Sequence, residues 1–144
     1  MEKYKIELIN YRIGRAKEAI EEVDVLITSK KYDAAVTRIY YGIFYIINAL
    51  ATIDSFSTSK HSQLIGYFNK EYIKEKIIDP KIGKFLNRAY DLRTKSDYGE
   101  FTNYSDEEVK SYFAEMKDFI YSVEKIINKK INNFLGIKGE PPNV

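Results

Sequence analysis

Between Tyr32 and Ile53 the chain runs for about six helical turns with almost no side that water would favour. Val36, Ile39, Tyr40, Ile43, Ile47 and Leu50 recur at helical spacing and predict one apolar face. A second face, with Ala34, Arg38, Tyr41, Tyr45 and Asn48, is only partly polar. A helix that is apolar nearly all round has to be covered by other elements. This segment therefore predicts the central helix of an all-α bundle, or a helix at a dimer interface.

The rest of the chain supplies the cover. Tyr4, Leu8, Tyr11, Ala16, Ile20, Val23 and Ile27 predict an amphipathic first helix, with Glu7, Arg15, Lys17, Glu18, Glu21, Glu22 and Asp24 on its wet side. Ser29-Lys30-Lys31 separates it from the second helix, so the two are expected to pack antiparallel. After a polar turn from Asp54 to Ser59, a short third helix is expected over 60–73, with Leu64, Ile65 and Phe68 inward. Asp79-Pro80 reads as a cap followed by proline in the first turn, where its missing N–H costs nothing. The fourth helix carries Ile82, Phe85, Leu86, Ala89 and Leu92 and is expected to stop near Tyr98-Gly99. Ser105-Asp106-Glu107-Glu108 has the form of a capping box ahead of Val109, Phe113, Met116, Ile120, Val123, Ile127, Ile131 and Phe134 on a fifth helix. The expected organisation is an antiparallel bundle of about five helices over 1–135 and a flexible tail over 136–144.

Composition narrows the function. With no cysteine, disulfides and thiolate metal sites are excluded, and one histidine leaves no metal-ligand spacing, so neither a metal nor a cofactor is expected. No glycine-rich phosphate loop is present, which argues against direct nucleoside triphosphate hydrolysis. Charges are read as interrupting every apolar stretch before the ~18 residues a membrane span needs. The first residues lack a signal-like apolar segment. A cytoplasmic protein without a membrane partner is the expectation. A net charge of +2 does not by itself indicate nucleic-acid binding.

Few residues remain that can carry chemistry. Arg93 follows the inward stripe of the fourth helix, and Asp97 lies four residues on, within side-chain reach. A carboxylate in a last helical turn faces the negative end of the macrodipole, so a partner such as Arg93 is expected. The pair is either a clasp that fixes the helix end or a site where Arg93 meets a ligand phosphate. His61, the single histidine, sits with Lys60 at the start of the third helix, where a neutral imidazole and a bound anion are both favoured. A cap or surface role is the alternative. Arg38, Tyr40 and Tyr41 either line a polar pocket with Arg93 or pack the bundle centre with their hydroxyls satisfied.

Taken in order, Tyr32-Asp33-Ala34-Ala35-Val36 with Arg38-Ile39-Tyr40-Tyr41 and Phe44, then Ser59-Lys60-His61-Ser62, then Leu92-Arg93 with Asp97-Tyr98-Gly99 resemble the HEPN domain family in its small stand-alone prokaryotic branch. The likeness spans about residues 4 to 131. It implies an α-helical bundle, often a homodimer, with a polar cleft between subunits. It also implies an RNA or nucleotide ligand and a nucleotidyltransferase partner in a two-gene toxin–antitoxin or phage-defence module. Many members are metal-independent ribonucleases.

Those ribonucleases carry arginine, four to six further residues, then histidine. Counting from Arg93, the corresponding slots here hold Tyr98, Gly99 and Glu100. Cleaving RNA through its 2′-hydroxyl needs a proton acceptor, a donor to the leaving oxygen and a cation for the phosphorane. Arg93 suits the cation. Tyr98, with an ordinary pKa near 10, suits at best the donor. His61 can supply the base only if the fold or a second subunit brings it beside Arg93. Two of the three readings kept open are a binding component, and a ribonuclease using Arg93 with His61 or Tyr98. A non-catalytic dimeric adaptor is the third.

Overall fold

The computed structural model describes residues 3–97 and 103–136. These form helices α1 (Lys3–Thr28), α2 (Tyr32–Ile53), α3 (His61–Phe68), α4 (Pro80–Asp97) and α5 (Asp106–Phe134), with a π-helical turn (Asn69–Ile73) continuing α3. Among the described residues there is no strand. α2 touches all four other helices and is the centre of the bundle. By length and composition it is apolar enough to cross a membrane, with Arg38 its one charge between Ala34 and Ile53, so the expectation that charges interrupt every apolar stretch does not hold there. Burial against its neighbours accounts for that apolarity: Ala35, Val36, Ile39, Tyr40, Ile43, Ile46, Ile47 and Leu50 are all in the core.

α1 and α2 pack closest. Gly42 sits where they cross α5: a β-carbon there would collide with Met116 and lie 3.0 Å from the Ala19 Cβ. The connection Ser29–Lys31 is a helix stop in which Lys30 takes a left-handed φ of 59°. Its N–H donates to the Ile27 carbonyl (2.9 Å), and Lys31 N–H donates to Leu26 (2.8 Å), which satisfies carbonyls at the end of α1.

One face of α1 differs from the sequence expectation. Tyr4 and Tyr11 are 71% and 63% exposed, whereas Ile9 and Ile13 are buried. At about 100° per residue, Ile9 and Ile13 fall within a turn's width of the Ala16–Val23–Ile27 stripe, while Tyr11 is rotated about 140° from Ala16. Tyrosine tolerates that wet position because its hydroxyl is polar.

The third helix is also not one regular element over 60–73. Its last part widens into the π turn, where Lys74 N–H bonds to the Asn69 carbonyl five residues back (2.8 Å). The wider turn carries Tyr72 round to the side of Tyr67. Both phenol hydroxyls donate to Oδ2 of Asp54, and Lys130 of α5 donates to Oδ1 at 2.9 Å. Asp54 is the C-cap residue of α2, where the helix dipole disfavours a carboxylate, so these three donors explain its presence. Burial pushes the Asp54 carboxyl up, but the bonds from Tyr67, Tyr72 and Lys130 outweigh it and hold the group below its ordinary range. Burial, then Asp54 itself, pushes the Tyr72 phenol up to about 12. The clasp gathers α2, α3, the π turn and α5, and so fixes the helix that begins with His61.

The two caps read from sequence are in place. Lys81 N–H donates to Asp79 Oδ1 (3.0 Å) at the start of α4, and Glu108 N–H donates to Ser105 Oγ (3.1 Å) at the start of α5. The expected stop at Tyr98-Gly99 lies outside the described residues, as does the tail beyond Gly136.

Candidate functional site

Tyr40 fills the middle of α2 and is 1% exposed, so its hydroxyl requires a partner inside the protein. It finds Nδ1 of His61, the first residue of α3, at 2.8 Å. From α4, Arg93 Nη1 approaches the same nitrogen at 3.4 Å. Residues separated by 21 and 32 positions thus converge on one imidazole edge. Arginine only donates, so the contact requires an unprotonated Nδ1. We assign the ring its proton on Nε2, so that Tyr40 donates to the one lone pair of Nδ1 and Arg93 lies beside it at longer range.

Aromatic rings fix the geometry. Phe44, one turn beyond Tyr40, lies 4.2 Å from the His61 ring centroid, and Tyr90 of α4 lies 6.2 Å from that of Tyr40. The Arg93 guanidinium carbon is 5.0 Å from the Tyr40 ring centroid and 5.7 Å from that of Tyr41, within cation–π range of both. Arg38 approaches Tyr41 at 5.6 Å and pairs with Glu22 of α1 at 3.3 Å. Arg38 and Arg93 therefore share one tyrosine.

Arg93, His61, Tyr40, Tyr41 and Arg38 are thus brought together across three helices. Lys60 is the N-cap residue of α3 with an exposed side chain, and its backbone N–H donates to Thr58 Oγ1 at 3.1 Å. Tyr98 lies outside the described residues, and so does the side chain of Asp97, on which the expected pairing with Arg93 depends. Phe44 and Tyr90 are members that sequence reasoning did not assign to the pocket. The i, i+4 pairing of Phe44 with Tyr40 was the available signal. Among the described residues no group of histidine and carboxylate side chains could hold a metal ion.

The arrangement offers a fixed cation beside a hydrogen-bonded imidazole, walled by aromatic rings. Its chemistry suits an anion with a flat, π-rich neighbour.

Comparison with known proteins bears on the family of the chain. The family model described as HEPN domain matches residues 9–130. The chain is 35% identical over 123 residues to a UPF0332 protein of Thermotoga maritima, covering 85% of this chain and 93% of that protein. It is 33% identical over 142 residues to a protein of Methanocaldococcus jannaschii named as a candidate toxin, covering 98% and 92% respectively. A second candidate toxin of that archaeon is 29% identical over 123 residues, covering 85% and 91%.

Proposed function

Because the chain belongs to the HEPN domain family, we infer that it is a toxin-like protein in which Arg93 and His61, the latter oriented by Tyr40, hold a phosphate of RNA or of a nucleotide. The observation that carries this reading is the convergence of Arg93 and Tyr40 on His61 Nδ1, at 3.4 and 2.8 Å. A phosphate oxygen bound by Arg93 gains a planar, permanently charged donor. Tyr41 and Phe44, both partly exposed, supply ring surface for a base. The names of the two archaeal relatives support a toxin-like role.

Catalysis is a second reading, favoured by the proximity of base and cation that the missing histidine after Arg93 had put in doubt. When a phosphate draws Arg93 away, the His61 ring can carry its proton on Nδ1, donated to the Tyr40 oxygen, and Nε2 then accepts the 2′-hydroxyl proton. O2′ then attacks phosphorus, the P–O5′ bond breaks, and the imidazolium returns the proton from Nε2 to the 5′-oxygen, leaving a cyclic phosphate and a 5′-hydroxyl. Arg93 stabilises the phosphorane charge.

A nucleotidyltransferase acting with this chain in a two-gene module, and a homodimer that places two such clusters across a cleft, complete the proposal. Co-purification from cells expressing a neighbouring nucleotidyltransferase tests the first, and sedimentation tests the second.

The central experiment pairs RNA binding with growth. The native chain is expected to bind single-stranded RNA and to slow growth of a bacterial host. Arg93→Ala is expected to keep its circular dichroism spectrum and lose both effects. Native RNA affinity in a folded Arg93→Ala protein overturns the reading. RNA cleavage in EDTA that leaves cyclic phosphate ends, and that disappears in His61→Ala, selects the catalytic version over the binding one.

A further inference from the structure

One flank of the α1–α2 pair carries a row of cations that begins far from the pocket at His61 and runs into it. Their contacts step up one helix as they step down the other. Lys5 Nζ donates to Ser55 Oγ (2.7 Å), Arg12 donates to Thr52, and Arg15 donates to the Tyr45 hydroxyl (3.3 Å). Arg38 reaches Glu22 (3.3 Å). The row then meets Arg93 at their shared ring, Tyr41. Four of the five arginines in the chain lie along it.

Three of those arginines are held over tyrosine rings: Arg15 over Tyr45 at 5.2 Å, Arg38 over Tyr41 at 5.6 Å, and Arg93 over Tyr40 and Tyr41. Tyr41 and Tyr45 are one helical turn apart on α2, and the exposed Tyr11 lies one turn before Arg15 on α1. From Thr52 to Arg38 the row spans about 20 Å at 1.5 Å per residue. Arginines already ordered on rings lose less freedom on binding than free side chains do.

We propose that this flank is a track for single-stranded RNA, leading an extended strand of several nucleotides to Arg93 and His61. The proposal rests on the reading of the central cluster given above. Alternating guanidinium groups and aromatic faces match an alternating polymer of phosphates and bases, and bases stack on arginine planes as well as on tyrosine. The flank also carries Glu22 on Arg38 and Glu18 on Arg15 (2.9 Å). Their side chains are 43% and 57% exposed, so these are surface ion pairs of little strength that a phosphate displaces. Among the described residues the row retains a cationic excess even without Arg93, with Lys5, Arg12, Arg15 and Arg38 against Glu18 and Glu22.

The test compares a labelled single-stranded RNA of about twelve nucleotides with a labelled dinucleotide, by fluorescence anisotropy across a salt series. Arg15→Ala and Tyr45→Ala are each expected to weaken the longer RNA about tenfold and leave the dinucleotide unchanged. Arg15→Ala is also expected to make the slope of log affinity against log salt shallower by about 0.7. Arg93→Ala is expected to weaken both ligands. If both flank variants bind the longer RNA as the native chain does while Arg93→Ala loses it, the track is wrong and the central site stands. If the native chain binds neither ligand, the reading of the centre fails and the track with it. If either flank variant converts a native dimer to a monomer on a sizing column, a second copy of the chain covers this flank and the proposal is overturned.

Discussion

The Tyr40 hydroxyl lies 2.8 Å from His61 Nδ1, joining the buried middle of α2 to the first residue of α3. The bond satisfies a hydroxyl that has no access to water and sets the plane of the one imidazole in the protein. Tyr40→Phe keeps the ring and removes the bond. It is expected to cost about 1 kcal/mol in urea denaturation, since a net hydrogen bond is worth roughly that amount. In nitrogen-15 NMR the His61 tautomer ratio is expected to move from the Nε2–H form toward a mixture. An unchanged ratio overturns the assignment of Tyr40 as the group that orients the ring.

Asp54 links stability to pH. Its folded carboxyl titrates below its unfolded value because Tyr67, Tyr72 and Lys130 outweigh the effect of burial. Its contribution is complete above the unfolded value near pH 4 and is lost as pH falls through the lower folded value. Melting temperatures measured from pH 7 to 2 are expected to fall most steeply below about pH 4. Asp54→Ala is expected to cost about 1–3 kcal/mol at pH 7, because it leaves the Tyr67 and Tyr72 hydroxyls without their acceptor, and to flatten that fall. An equally steep acid limb in the variant places the titrating group elsewhere.

Gly42 allows α1, α2 and α5 to cross closely. Met116 has a flexible end that can yield, but Ala19 at 3.0 Å cannot move without moving α1. Gly42→Val is expected to destabilise by about 2 kcal/mol or more, by forcing the helices apart. Gly42→Ala is expected to cost less, because the added methyl displaces mainly Met116. Chemical denaturation of both variants checks the order.

Lys30 holds a left-handed conformation that costs a side-chain-bearing residue about 1–2 kcal/mol. Lys30→Gly relieves that strain at the end of α1. It is expected to raise stability by up to about 1 kcal/mol, since glycine also has more freedom to lose on folding. A loss of stability shows that the lysine side chain contributes a contact that outweighs the backbone strain.

The legible parts of the fold are those with local causes. The central place of α2 followed from its lack of a wet face. The starts of α4 and α5 followed from Asp79 and Ser105, whose partners are two and three residues away. The α1 face was misread at its beginning because Tyr4 and Tyr11 look apolar by type, while Ile9 and Ile13 keep the helical phase. Candidate site residues could be named from their chemistry, but not joined. His61 and Arg93 are 32 positions apart, and only the packing of α3 and α4 against α2 brings them together. The Asp54 clasp was illegible for the same reason: its partners are 13, 18 and 76 positions away, and one of them needs a π turn that no residue type announces.

The short stop at Lys30 and the paired contacts along α1 and α2 also bear on how the chain reaches this structure. Contacts across a hairpin with a three-residue connection close small loops and lose little chain entropy, so they are expected to form before α5 closes over Asp54 from 76 positions away. Stopped-flow refolding should therefore divide the core in two. Truncating Ala19 or Ile43 in the hairpin is expected to slow folding, whereas truncating Ile120 or Ile127 in α5 should mainly speed unfolding. The hairpin that carries the arginine row is then also the nucleus on which the rest of the bundle assembles.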